Sequence, residues 1–317
     1  MPLLELTPDG LYCRAGDFHI DPWAPVARAM VTHAHADRAR SGSAAYLTAR
    51  PGVELVRSRV GDGAEVQPVE YGESVVLGDV QVSLHPAGHI LGSAQIRIEH
   101  RGEVWVVAGD FNPAPDPTCT AFEPLRCHTF VTEGTFGLPI FRWTPEAELA
   151  ADIHAWWRTN QEAGRASLLF ADPLGKAQRV LARLDASIGP ICADSAVEAF
   201  NAVYRANGIR LPATQSDAAR GALILAPPGA DRRAFGTVST ALVSGWMRIR
   251  GTRRRQSLDR GFALSDHADW PNLLAAIDAT CAETVWVTHG FRGPLVHWLQ
   301  EHGRRAVAIE TRFGEAA

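Results

Sequence analysis

A chain of 317 residues with 46% hydrophobic and 21% charged residues has the make-up of a globular protein with room for one large domain or two modest ones. Its net charge of −4 excludes polyanion binding by the molecule as a whole, so any nucleic-acid site has to be a local basic patch. No apolar run approaches the roughly 18 residues that cross a bilayer. The start Met-Pro-Leu-Leu-Glu-Leu-Thr lacks the basic and apolar parts of a secretion leader. Five scattered cysteines (Cys13, Cys119, Cys127, Cys192, Cys281) form no C-x-x-C pair. The expectation is a cytoplasmic protein with reduced thiols and no membrane partner.

In chain order, residues 3–6 and 11–13 read as strands around the turn Pro8-Asp9-Gly10, and 26–31 as a strand feeding a His-rich segment. Hairpins are predicted for 75–77 with 80–84 around Gly78-Asp79, and for 95–99 with 104–108 around Arg101-Gly102. The pattern then changes. Residues 145–160 have helical spacing with Thr144 as N-cap, 167–171 read as a buried strand, and 175–188 and 197–207 as helices. Strands follow at 222–226, 240–244, 262–264 and 285–288, then a helix at 295–302 and a last strand at 306–309. The alternation in the middle predicts a small α/β unit.

Polar residues stand where several apolar runs stop. His33, His35 and Asp37 lie two apart in Thr32-His33-Ala34-His35-Ala36-Asp37, directly after the strand at 26–31. A loop at a strand's end can turn alternate side chains to one point, and imidazole and carboxylate suit zinc and similar divalent ions. His89 follows Gly88, Asp110 follows Gly109, and His289 precedes Gly290, each at the end of an apolar run. The competing reading of any single one is a polar loop with a chance histidine; the recurrence favours a metal site.

The order H-x-H-x-D, G-H-x-L-G, G-D and a late H-G resembles the metallo-β-lactamase superfamily. Thr132-Glu133-Gly134-Thr135-Phe136, Ser265-Asp266-His267-Ala268-Asp269 and Thr288-His289-Gly290 are similar to the three further motifs of its β-CASP branch of nucleases. Leu174-Gly175-Lys176-Ala177-Gln178, the segment 244–251 and the segment 285–290 resemble bacterial ligase-associated DNA-damage-response exonucleases. The resemblance implies an α/β fold: an αββα sandwich formed by residues 1–140 and 261–317, with an α/β cap domain inserted at 141–260. It implies that His33, His35, His89 and Asp110 hold a first metal. Asp37 and His289 would hold a second that shares Asp110. His267 would be the general acid, with Glu133 holding it. The implied partner is nucleic acid, DNA favoured over RNA, with an ATP-dependent DNA ligase and a helicase as functional associates.

The superfamily pattern is H-x-H-x-D-H, and here its last position is Arg38. Arginine stays protonated and cannot ligate a metal. The sequence leaves four outcomes open: an empty second site, a weak second site completed by water, Arg38 replacing the second charge and clamping a substrate phosphate, and an inactive protein that binds nucleic acid. Of these, one tight Zn²⁺ with any second ion weakly held is favoured, with Mn²⁺ as the other candidate ion.

All basic residues except Lys176 are arginine. Lys176 stands where a loop gives way to a helix and is either a phosphate contact or an ordinary helix lysine. Arg248, Arg250, Arg253, Arg254, Arg255 and Arg260 crowd into one stretch, which is either a phosphate-backbone contact or a solvated loop. His85 is read as structural, and Asp266 and Asp269 as residues that orient their loop or cap the next helix. A histidine at 289 marks the RNA-cutting members of the branch, whereas the longer match of the middle and C-terminal segments favours DNA. The expected function is a DNA exonuclease in repair, with an RNA-end-processing nuclease as alternative. A small-molecule esterase on the same fold is disfavoured by the inserted unit.

Overall fold

Leu6 and Leu11 face each other across the Pro8-Asp9-Gly10 turn in an antiparallel pair that begins the first sheet of the computed structural model. The structure describes residues 2–216, 220–249, 251–252 and 257–311. They fall into two compact units: residues up to Pro139 together with those from His267, and Ile140–Asp266.

In the first unit, β1 (Glu5–Thr7), β2 (Gly10–Cys13), β3 (Phe18–Ile20), β4 (Arg28–Met30), β5 (Ala45–Ala49) and β6 (Val66–Val69) lie side by side in sequence order. The first three are antiparallel and the rest parallel. Helix α1 (Val53–Val60) connects β5 to β6. The second sheet has the order β18-β17-β11-β10-β9-β8-β7, from β7 (Ser74–Leu77), β8 (Val80–Pro86), β9 (Ala94–His100), β10 (Glu103–Val107), β11 (Thr129–Glu133), β17 (Thr284–Thr288) and β18 (Arg305–Ala308). Its hairpins are the two expected from Gly78-Asp79 and Arg101-Gly102. From β10 onward the pairings are parallel.

Alternation along β10 shows how this sheet is used. Trp105 and Val107 join Met30, Leu47, Val82 and Ile96 in a core shared with the first sheet. Val106 and Ala108 point the other way, against Leu273, Ile277, Leu295 and Leu299 of α5 (Trp270–Ala279) and α6 (Arg292–Glu301). Both faces of β10 are therefore covered, which is why 104–108 is apolar throughout.

The second unit holds a parallel sheet in the order β13-β14-β12-β15-β16, from β12 (Ala166–Phe170), β13 (Ile191–Ala193), β14 (Leu223–Ala226), β15 (Val238–Val243) and β16 (Arg260–Phe262). Leu169 packs with Trp157 and Val180 on one face, and Leu168 and Phe170 with Ile224 and Leu242 on the other. Helices α2 (Glu146–Glu162), α3 (Lys176–Leu181) and α4 (Ser195–Ala206) belong to this unit.

Two sequence expectations change. Helix α2 starts at Glu146 with Pro145 at the N-cap, so Thr144 does not cap it. The helix expected over 175–188 stops at Leu181, because Arg183 and Leu184 donate to the carbonyls three residues back and tighten the chain into turns. The strands that escaped the sequence pattern, β3, β5, β6, β11 and β13, span three to five residues each. At that length, pairing with neighbours defines a strand more than periodicity does.

Candidate metal centre and its proton-transfer pair

Strands β10, β11 and β17 are parallel neighbours, so their carboxyl ends reach the same edge of the second sheet. Asp110 follows β10, Glu133 is the last residue of β11, and His289 follows β17. His33 and His35 come from the loop after β4, and His89 from the loop between β8 and β9. The two loops are tied together where the Ala94 N–H donates to the Thr32 carbonyl at 2.8 Å. Arg59 of α1 donates to the Ala34 carbonyl at 3.1 Å, which fixes the backbone between the two histidines.

The glycines beside these residues allow close approach. Gly109 has φ +61°, and a side chain there would start 2.8 Å from Thr32. Gly290 has φ +64°, and a Cβ would lie 2.3 Å from the Gly134 carbonyl. Neither position accepts a side chain without moving backbone that carries a site residue.

His33, His35, His89 and Asp110 bring one ligand atom each within 4.8 Å of the others. The three imidazoles stand nearly perpendicular, with ring centroids 4.8–4.9 Å apart. His33 Nε2 lies 3.3 Å from Asp110 Oδ2, and His89 Nε2 lies 3.3 Å from His35 Nδ1. Three imidazole nitrogens and a carboxylate oxygen converging at this spacing fit a zinc-type ion. Thr32 supports the arrangement. Its hydroxyl donates to Asp21 Oδ2 at 2.6 Å and lies 3.1 Å from His33 Nδ1. With the hydroxyl proton given to Asp21, its oxygen can accept from Nδ1, which assigns the lone pair to the Nε2 that faces Asp110.

Arg38 occupies the other side of Asp110. It is only 8% exposed, and its Nη2 donates to Asp110 Oδ1 at 2.6 Å. Its Nε is 3.3 Å from Asp37 Oδ2, and its Nη1 is 3.9 Å from Asp21 Oδ2. Burial disfavours the charged guanidinium, but Asp110, then Asp21, Asp37 and Glu133, outweigh it and raise its pKa above the ordinary value. Burial likewise works against the Asp110 carboxylate, yet Arg38 and then His33 hold its pKa well below the usual range. Burial and then Arg38 press the imidazole of His289 down to about 4, so it is neutral. Burial pushes Asp21 up, with Arg38 and His33 opposing. Among the described residues, neither Asp37 nor His289 belongs to a cluster of ligand atoms lying within 4.8 Å of one another.

Glu133 is 3% exposed and grips His267, its Oε1 and Oε2 lying 2.8 and 2.9 Å from Nδ1. The His267 ring sits against that of His89 at 4.8 Å and that of Phe136 at 5.9 Å. A carboxylate on one ring nitrogen fixes the tautomer and leaves Nε2 as the nitrogen for proton exchange.

Lys176 is 8% exposed and pairs with Asp172 and, at 3.5 Å, with Asp266, which is itself 1% exposed. Burial would lower its pKa, but Asp266 and then Asp172 raise it. Arg248 is exposed at the end of a short 3₁₀ turn. Arg250, Arg253, Arg254 and Arg255 lie outside the described residues. Trp246 packs edge-on against Phe141 at 5.7 Å. The ring nitrogens of His85 face Ser83 and Glu123, outside the cluster. Asp269 caps α5 by accepting from the Asn272 N–H at 3.1 Å. Asp21 and Arg59 contact the site without belonging to the motifs that mark it in the sequence. Asp21 carried the same signal as Asp110, a carboxylate just past an apolar strand, but followed by proline instead of preceded by glycine.

No protein-family model matches the chain. It is 31% identical over 311 residues, 95% of its length, to a protein of Opitutus terrae named "Probable DNA ligase". It is 31% identical over 126 residues to the "Endoribonuclease YSH1" of Saccharomyces cerevisiae. Over 125 residues it is 27% identical to the "Cleavage and polyadenylation specificity factor subunit 3" of Dictyostelium discoideum. The chain spans 30% of the length of the first relative and 16% of the other two. A crystal structure of a protein of unknown function from Enterococcus faecalis V583 shares the fold, with TM-score 0.59 and 11% identity over 82% of this chain and 74% of that one. These similarities are consistent with the β-CASP branch of the metallo-β-lactamase superfamily. Among the described residues no helix is long and apolar enough to cross a membrane.

Proposed function

We propose that the chain is a metal-dependent phosphodiesterase acting on nucleic acid, a DNA exonuclease of the ligase-associated repair type. One observation carries the reading: the Glu133–His267 pair stands directly against His89 of the four-ligand cluster. A held proton donor beside a metal site is the equipment for cleaving a bond with a poor, alkoxide-like leaving group. The first unit, two sheets sharing one core with α5 and α6 on the outer face of the second, supports its assignment as the catalytic metallo-β-lactamase sandwich. The second unit is the β-CASP domain.

In this reading His33, His35, His89 and Asp110 hold the ion, Zn²⁺ or Mn²⁺. When bound, the ion supplies Lewis acidity at the phosphodiester and a nucleophile that is active near pH 7. His267 donates the proton from Nε2 to the leaving oxygen. Glu133 stabilises the charged imidazole and keeps its other nitrogen from rotating into that role. Arg248, exposed, and its neighbours outside the described residues supply sequence-independent phosphate contacts. DNA is favoured because similarity to the protein named as a DNA ligase runs along 95% of the chain, whereas similarity to the endoribonucleases runs along 38%. That partial similarity keeps RNA as the second reading.

The deciding experiment is a matched assay on end-labelled DNA and RNA of one sequence with Zn²⁺, Mn²⁺ and Mg²⁺. Release of mononucleotides from DNA is the expected result. Internal cuts in RNA select the second reading. Binding without turnover under every ion overturns the nuclease assignment.

A further inference from the structure

Asp110 divides its two oxygens between two different partners. Oδ2 faces His33 Nε2 at 3.3 Å, inside the four-ligand cluster, and Oδ1 accepts from Arg38 Nη2 at 2.6 Å. A carboxylate bridging two metal ions would present one oxygen to each. Here the second oxygen is taken by a guanidinium that Asp37 and Asp21 flank at 3.3 and 3.9 Å. The donors that would complete a second metal site, Asp37 and His289, do not converge with Asp110 into a ligand cluster among the described residues. A dication there would need a metal–oxygen distance of roughly 2.0–2.2 Å, at an oxygen already hydrogen-bonded to a buried, permanently charged group. The residues fit one ion and do not fit two.

We propose that Arg38 is the built-in second cation of this centre: its guanidinium fills the place of a second metal ion, and the chain binds a single ion at His33, His35, His89 and Asp110. The proposal rests on the reading of that cluster as a metal site. Arg38 is the group that excludes the second ion, and Asp37 and Asp21 hold this arginine in place of metal. A cavity of about 50 Å³ adjoins Asp21, Arg38 and His289. That is space for waters beside a shorter side chain at position 38.

The test counts ions on the metal-stripped full chain with Co²⁺ and Mn²⁺ as probes, without substrate. The wild type is expected to saturate at about one equivalent of Co²⁺ by elemental analysis and visible absorption, and Arg38→His at about two. With Mn²⁺, the wild type gives the paramagnetic resonance signal of isolated ions, and Arg38→His that of a spin-coupled pair. A wild type that binds two tight equivalents overturns the proposal, as does a folded Arg38→His that still binds one. Asp37→Asn covers the case in which Arg38→His fails to fold. Because Asp37 holds arginine and not metal, this variant keeps its Co²⁺ equivalent, and loss of bound ion from it is equally fatal. Cleavage plays no part in the count. One ion without nuclease activity leaves Arg38 in its role and removes the nuclease assignment, and two ions with activity does the reverse.

Discussion

On one side of Asp110 stand three imidazoles that meet edge to edge; on the other stands a guanidinium among carboxylates. The first side is assembled from three imidazoles and one carboxylate oxygen, a donor set that fits an ion from outside. The second side carries its own fixed cation, Arg38, held among Asp110, Asp37 and Asp21. One carboxylate serves both because its two oxygens are separate acceptors. One carboxylate thus has a cluster of imidazoles at one oxygen and a fixed guanidinium at the other. The half with imidazoles fits an exchangeable metal, and the half with the guanidinium is a permanent part of the fold.

The largest effect is expected from attacking the imidazole side. His33→Ala removes the nitrogen that faces Asp110, and both bound metal and cleavage fall to background, read by elemental analysis and by the end-labelled assay. Retained metal in that variant would place the ion elsewhere. His267→Ala separates chemistry from binding: cleavage drops by about 10²–10⁴-fold while metal content is unchanged. Glu133→Gln produces a smaller loss of about 10–100-fold and moves the alkaline limb of the pH–rate profile to lower pH, because the imidazolium that donates the proton loses its carboxylate. A stable profile in Glu133→Gln would reduce that residue to packing. Asp21→Asn tests the coupling between the two sides, since Asp21 accepts from Thr32 beside His33 and also flanks Arg38. Metal affinity is expected to fall by about 10–100-fold, measured by competition with a chromogenic chelator. Smallest at the centre is Lys176→Met. It leaves Asp266 buried without its cation and lowers unfolding free energy by about 3–5 kcal/mol in a denaturant titration, with metal content untouched.

Much of the site was legible in the sequence because glycine and strand ends marked it. His33, His35, His89 and Asp110 stand where apolar runs stop at a metal-competent residue, and the structure gathers those four into one cluster. The hairpins at Gly78-Asp79 and Arg101-Gly102 were legible for the same local reason: turn chemistry lies within a few residues. The end of α3 was less legible, because what stops it is a change from helical to three-back hydrogen bonding that no proline or glycine announces. Lys176 stood out as the sole lysine, but its burial between Asp172 and Asp266 depends on a residue ninety positions away.

The sequence by itself determined the ligand types, their order and the anomaly at position 38, since residue identity alone decides that imidazole can bind a metal and guanidinium cannot. Only the tertiary structure decided what Arg38 does. Its side chain could have turned to solvent, to substrate or to Asp110, and nothing local distinguishes these. The choice is made chiefly by Asp110, which follows β10, lies 72 positions away and comes beside Arg38 only when the two sheets pack, with Asp21 from the end of β3 and the adjacent Asp37 flanking the guanidinium. Burial then makes the arrangement persistent, because a desolvated guanidinium remains stable only while those carboxylates surround it.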